Sequence, residues 1–359
     1  MLGRSLVAVA AAALAIAAAG CGDAAPRAAA VRPDPTATAH RSATAHRSAA
    51  AHRSAPAHHS AAAHRSAAAH RRASAPYAVG ERIVTFVDRS RRIRPPGRRS
   101  RPRPLVTVIR YPADGPASGT DIRNAPPARS GGPFPLVVFG HGFAVTPRPY
   151  ARLLQAWTRA GYVVAAPIFP LENARAPGGP DEADLVNQPR DMRYVISRLL
   201  AASADPRDPL AGTVAAGRVA VAGQSDGGET ALATAYDRYY RDRRVRAAVI
   251  LSGAELPGTG GFTFPTTSPP LLAVQGTADT INRPRFTEAF FRLARRPKFL
   301  LWLLGAGHLP PYTYQQPQLS IVERVTIAFL NRYLDNDRTQ VARMIAAGDV
   351  PGKTRLIAR

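Results

Sequence analysis

The sequence predicts an α/β fold with a mostly parallel central sheet, helices on both faces and a disordered N-terminal tail. Three observations lead there. From about residue 77 onward, short strand-like runs alternate with helix-like segments. Most of those runs are apolar throughout, as strands buried on both faces are. Residues 22 to 76, by contrast, contain no Leu, Ile, Met or aromatic residue. Nothing there offsets the entropy of ordering a chain.

The elements follow in order. Residues 1–21 read as a signal peptide: one positive charge at Arg4, then an apolar run from Leu6 to Ala19 too short to span a bilayer comfortably. It ends in Ala18-Ala-Gly-Cys21, which resembles a lipobox with Cys21 as the lipidated residue; ordinary cleavage near Ala19 is the alternative. Residues 22–76 form a linker with a six-residue repeat first seen as Ala39-His-Arg-Ser-Ala-Thr44. Histidine at every sixth position makes no continuous helical face, so a spacer is expected, with metal or wall binding as alternatives. Residues 77–335 are the expected catalytic domain and 336–359 a C-terminal extension. Within the domain, residues 82–87 and 105–110 read as early strands, joined by a solvated Arg/Pro loop over residues 91–104. Later strands are expected at 136–139, 162–167, 218–222, 245–251, 271–275 and 299–303. Helices are expected near 149–160, 189–202, 229–236, 283–294 and 318–334. Trp157, Phe299 and Trp302 read as core.

Charge and cysteine content bound the function. The net charge is +24, and 17 arginines against four acidic residues fall between positions 22 and 104. That basic segment fits contact with an anionic lipid or cell-wall polymer; no nucleic-acid motif accompanies it. Cys21 is the only cysteine, so no intrachain disulfide can form. Together these features predict export, with the protein anchored to the outer face of the cell membrane or secreted.

One run carries the chemistry. Val219-Ala-Val-Ala222 reads as a buried strand, Gly223-Gln-Ser-Asp-Gly227 fits G-x-S-x-G, and a helix follows. Strand, tight turn and helix form the context of a nucleophile elbow centred on Ser225. A serine hydroxyl needs a base. Seven of the nine histidines lie in the low-complexity tail, leaving His141 and His308. His308 follows a strand in Gly305-Ala-Gly-His-Leu-Pro310, and between it and Ser225 the strand at 271–275 leads to Asp279. Ser225, Asp279 and His308 thus all fall in loops after strands, where open α/β sheets bind ligands. Alternatives remain at this stage. Asp279 also suits a helix N-cap, His308 a satisfied core histidine, and Asp205 or Asp208 are weaker acids because they precede a strand. A serine activated by a base needs no metal or organic cofactor, so none is expected.

The chain resembles the α/β-hydrolases. The likeness is greatest to platelet-activating-factor acetylhydrolases, dienelactone hydrolases and actinobacterial cutinase-like polyester hydrolases. The pieces that carry it are Phe86-Val-Asp-Arg-Ser-Arg91, Val108-Ile-Arg-Tyr-Pro-Ala113, Gly140-His-Gly-Phe143, Pro189-Arg-Asp-Met-Arg193, Gly223-Gln-Ser-Asp-Gly-Gly228, Gly276-Thr-Ala-Asp279 and Gly307-His308. The order Ser225, Asp279, His308 is the order of that superfamily. The resemblance implies Ser225 as nucleophile, His308 as general base then acid, and Asp279 as the group orienting His308. It also implies an oxyanion hole from the backbone N–H groups of Phe143 and Asp226, supported by His141 and Gly142. The expected activity is a serine carboxylic-ester hydrolase on a small ester, lipid or polyester. A peptidase on the same fold and a non-catalytic binding scaffold are the alternatives. Loops 171–187 and 253–268 are expected to line the pocket. Asp226 departs from the pattern, because a carboxylate after the nucleophile opposes a developing oxyanion. Its side chain is expected to turn away.

Overall fold

The computed structural model describes residues 76–256 and 264–359. The expected signal peptide, Cys21 and nearly all of the repeat linker lie outside the described residues, as does the middle of loop 253–268.

Ten strands form one sheet in the order β10-β9-β8-β7-β6-β4-β5-β2-β1-β3. The strands are β1 (Ala78–Ile93), β2 (Arg101–Ala113), β3 (Ile122–Arg123), β4 (Phe134–Gly140), β5 (Val163–Ile168), β6 (Val214–Gln224), β7 (Val245–Leu251), β8 (Leu271–Gly276), β9 (Lys298–Leu303) and β10 (Thr354–Ala358). Strands β5, β4, β6, β7, β8 and β9 run parallel, while β2 and β10 join antiparallel at either side. The helices are α1 (Ala151–Arg159), α2 (Gln188–Ala204), α3 (Asp226–Tyr236), α4 (Pro284–Leu293), the single turn α5 (Pro310–Thr313), α6 (Gln318–Leu334) and α7 (Gln340–Gly348).

The pleat of the central strands explains their uniform hydrophobicity. In β4, Leu136 and Val138 enter the core on one face, whereas Val137 and Phe139 enter the core on the other. β6 does the same with Val219 and Val221 against Ala220 and Ala222. Alternate side chains point to opposite faces, so a strand covered on both sides must be apolar at every position. Met192, Ile196 and Leu199 of α2, Leu232 of α3 and Phe290 of α4 cover the first face. Leu153 and Trp157 of α1, Val322, Val325 and Phe329 of α6, and Met344 of α7 cover the second. Each such large side chain contributes roughly 1.5–3 kcal/mol by leaving water.

Three expectations about the elements change. The Arg/Pro segment is not a solvated loop over its full expected length, because β1 and β2 stay paired out to Ile93 and Arg101. Arg103 is buried at 2% exposure and binds Asp184 and Asp191, both at 2.6 Å; Arg91 binds Asp88 at 2.7 Å and Asp191 at 2.6 Å. Burial pushes the Asp191 carboxyl up, against the downward pull of Arg103 and Arg91. Two of the sequence motifs, the one at 86–91 and the one at 189–193, therefore meet in one ion network. Residues 340–358 are likewise not separate from the sheet: α7 packs on the second core and β10 pairs with β9 from Thr354↔Leu303 to Ala358↔Phe299. Of the three aromatics read as core, Trp157 and Phe299 are buried, while Trp302 is only partly so and packs against the first core. No helix among the described residues is long and apolar enough to cross a membrane.

Candidate active site

The elbow is made by backbone collision limits. Ser225, between β6 and α3, has φ 56° and ψ −127°, a left-handed conformation that costs a non-glycine residue of order 1–3 kcal/mol. The surroundings hold it there. A Cβ on Gly223 would collide with the Gly227 carbonyl, and one on Gly227 with the Gly140 carbonyl. The absence of those side chains lets β6, α3 and the end of β4 approach this closely. Ser225 N–H donates to the Leu251 carbonyl at 3.0 Å, tying the turn to β7.

Three loops then bring the polar groups together. His308, after β9, places Nε2 2.9 Å from Ser225 Oγ and Nδ1 2.8 Å from Asp279 Oδ2. Asp279, after β8, is 3% exposed. Its Oδ1 accepts from the Ile281 N–H at 3.0 Å and its Oδ2 from Gln275 Nε2 at 3.2 Å. The N-cap role for Asp279 is not taken up: α4 starts at Pro284, with no side-chain cap. Asp205 and Asp208 close local turns at the amino end of β6, accepting from Arg207 N–H and Leu210 N–H.

His141 does a different job. It is fully buried; the Phe169 N–H donates to Nε2 at 3.0 Å, which leaves Nδ1–H to donate to the Gly142 carbonyl at 2.8 Å. Burial holds its imidazole down at about 4, against a small upward pull from that carbonyl. It is a neutral brace of the loop 141–143. The Phe143 side chain is 42% exposed. Among the described residues, no main-chain carbonyl accepts from the N–H of Phe143 or of Asp226. The latter is the first residue of α3, where the helix dipole favours negative charge.

Asp226 keeps its carboxylate beside the serine: Oδ1 lies 3.4 Å from Ser225 Oγ, and Oδ2 is buried without a partner. Burial, then the charge of Glu182, push this carboxyl up to about 6. Glu229 is pushed to about 8 and Glu172 to about 10, each by burial first and by the charge of Asp226 second.

Two supporting side chains escaped the sequence reading. Tyr150 donates to Gln224 Oε1 at 2.7 Å and accepts from the Gly142 N–H at 3.3 Å. Gln224 Nε2 donates to the His308 carbonyl at 3.1 Å. One chain of hydrogen bonds thus links the 141–143 loop to the histidine loop. Gln224 occupies a free position of G-x-S-x-G, and its place beside the nucleophile was the one available signal. Nothing in the sequence distinguishes Tyr150 from other core aromatics.

The family model of the chlorophyllases, an ester-hydrolase family of α/β-hydrolase type, matches residues 117–278. That stretch, short of half the chain, contains the 141–143 loop and the elbow and stops one residue before Asp279. With the strand order above, the observation settles the architecture. The fold is the α/β-hydrolase fold. The match supports a hydrolase; it does not carry the finer resemblances to platelet-activating-factor acetylhydrolases, dienelactone hydrolases or polyester hydrolases. A search of curated proteins found no match. No cluster of metal-ligating side chains occurs among the described residues.

Proposed function

We propose that this chain is a serine carboxylic-ester hydrolase working through an acyl-enzyme. The observation that carries the reading is the bridging position of His308, within 2.9 Å of Ser225 Oγ on one ring nitrogen and 2.8 Å of Asp279 on the other. In the first step Ser225 Oγ attacks the ester carbonyl and its proton passes to His308 Nε2. Asp279 accepts from Nδ1–H, fixing the tautomer and stabilising the imidazolium. The oxyanion receives the N–H groups of Phe143 and Asp226. His308 then returns the proton to the leaving alcohol. In the second step water, activated by the same imidazole, adds to the acyl carbonyl and releases the acid and free Ser225. None of these steps uses a metal or organic cofactor.

The substrate reading is an ester outside the cell, with a short acyl chain, a lipid or a polyester, consistent with an exported chain held through Cys21 or secreted. The arginine-rich tail suits an anionic wall polymer or membrane surface. A panel of p-nitrophenyl esters of rising chain length, a polyester film and chlorophyll itself, the substrate in the matched family's name, orders these options. The mechanism is tested by a fluorophosphonate probe with mass mapping of the adduct. Labelling at Ser225, lost in Ser225→Ala together with turnover, supports it. An unlabelled serine in the folded chain would point to a scaffold instead.

A further inference from the structure

The outer face of the antiparallel wing of the sheet holds a groove that none of Ser225, Asp279 and His308 lines. We propose that it binds a single-chain amphiphilic anion, an alkyl chain ending in a carboxylate, in monomeric form. The groove has a volume of ≈ 540 Å³, in the range of small-molecule sites. Its floor is Ile83 of β1, Val106 and Val108 of β2 and Ile168 of β5, and prolines 147, 170 and 177 wall it. These floor residues share one face, since Ile83 pairs with Val108 and Val106 with Ile168. Ile83 is 52% and Val106 36% exposed. A contiguous exposed apolar strip on such a strand is a binding feature rather than a core feature.

Charge selects the ligand. Arg101, Arg148 and Arg175 stand exposed at the rim. None of the three guanidinium groups has an ion-pair or hydrogen-bond partner among the described residues. At one end of the groove Arg110 is already held by Glu81 at 3.1 Å and Asp121 at 2.9 Å, so it is not free for a ligand. Three unengaged planar cations above an apolar trough match a carboxylate head on a hydrocarbon tail. The same charge disfavours the chain's own arginine-rich segment, residues 22–72, as the occupant. None of Ser225, Asp279 and His308 lines the groove, and its 143–148 wall is tied to the 169–181 loop by Ala144 N–H to Glu172 carbonyl and Ala174 N–H to Val145 carbonyl. The groove is argued from its own lining, so the inference stands whether or not the esterase reading does.

The test uses the full chain and the fluorescent probe dansylaminoundecanoate below its micelle concentration, before and after fluorophosphonate treatment. We expect one saturable site, unchanged by the treatment, displaced by dodecanoate but not by dodecanol or dodecyltrimethylammonium. Arg101→Glu/Arg148→Glu and, separately, Val106→Asp should each weaken binding at least about tenfold. Circular dichroism should show an intact fold, and p-nitrophenyl acetate turnover should not change. Equal displacement by dodecanol, unchanged affinity in both variants, or loss of the site on fluorophosphonate treatment would overturn the proposal. So would capture of the chain by anionic phospholipid vesicles through this face with no binding of the monomeric probe.

Discussion

The centre of the sheet and its antiparallel wing place polar groups by opposite means. At the carboxyl ends of β6, β8 and β9, the main chain does the positioning. A strained serine, glycines with no room for a methyl group and short turns bring Ser225, Asp279 and His308 into hydrogen-bond contact. In the wing, long side chains do it. β1 and β2 are held to α2 by the arginines at 91 and 103 reaching buried carboxylates. Backbone placement tolerates little displacement, which suits bond-making chemistry. Side-chain placement allows a face to be solvated, and the wing is where strand residues remain exposed.

The comparison can be broken or sharpened in a set order. The largest effect belongs to the centre: Asp279→Asn should lower kcat/KM for a p-nitrophenyl ester by about 10⁴-fold, with an unchanged melting profile, because the tautomer of His308 is lost. A loss under tenfold would show that Gln275 or another group orients the ring. Next comes the wing: Arg103→Met should cost about 3–5 kcal/mol in denaturant unfolding, since Asp184 and Asp191 are left buried without their shared cation. If stability barely moves, the network is not what joins the wing to α2.

Glu229→Gln should show a pH-dependent gain. The unfolded chain releases this proton near the ordinary value of 4.5, whereas the folded chain keeps it to about 8. Between those values the folded state binds more protons, so stability falls as pH rises. The variant should remove on the order of a few kcal/mol of that fall, read as a flatter pH–stability curve from 5 to 8. Parallel curves for the two proteins would rule the group out. The smallest effect is kinetic. Asp226→Asn should raise kcat/KM by about tenfold, near 1.4 kcal/mol, above the pH of about 6 where the carboxylate is charged, and little below it. A uniform loss at every pH would instead make the carboxylate a positive contributor.

The centre was also the more legible region. Uniformly apolar strands announced a two-sided sheet, and G-x-S-x-G between a strand and a helix located the elbow. Residues 318–334 were expected as helix and are α6. In the wing the strands at 82–87 and 105–110 were legible, but the Arg/Pro segment 91–104 was misread because its composition suggested solvent. Arg103 looks like a loop residue until Asp191, 88 positions away, is brought beside it. No local pattern encodes a contact of that span. Tyr150 escaped for the same reason, since its partner Gln224 is 74 residues distant. Asp226 was recognised as unusual, yet its orientation depended on packing around α3 that sequence spacing does not report.

The tenth strand has a practical meaning. A polypeptide stopped at residue 335 would still contain every group proposed to react, yet β9 would become the naked border of a sheet reduced from ten strands to nine. Unpaired amides along that border invite self-association. The imidazole hangs from the turn just beyond it, so trimming or tagging the carboxyl terminus should be judged by colloidal behaviour as well as by turnover.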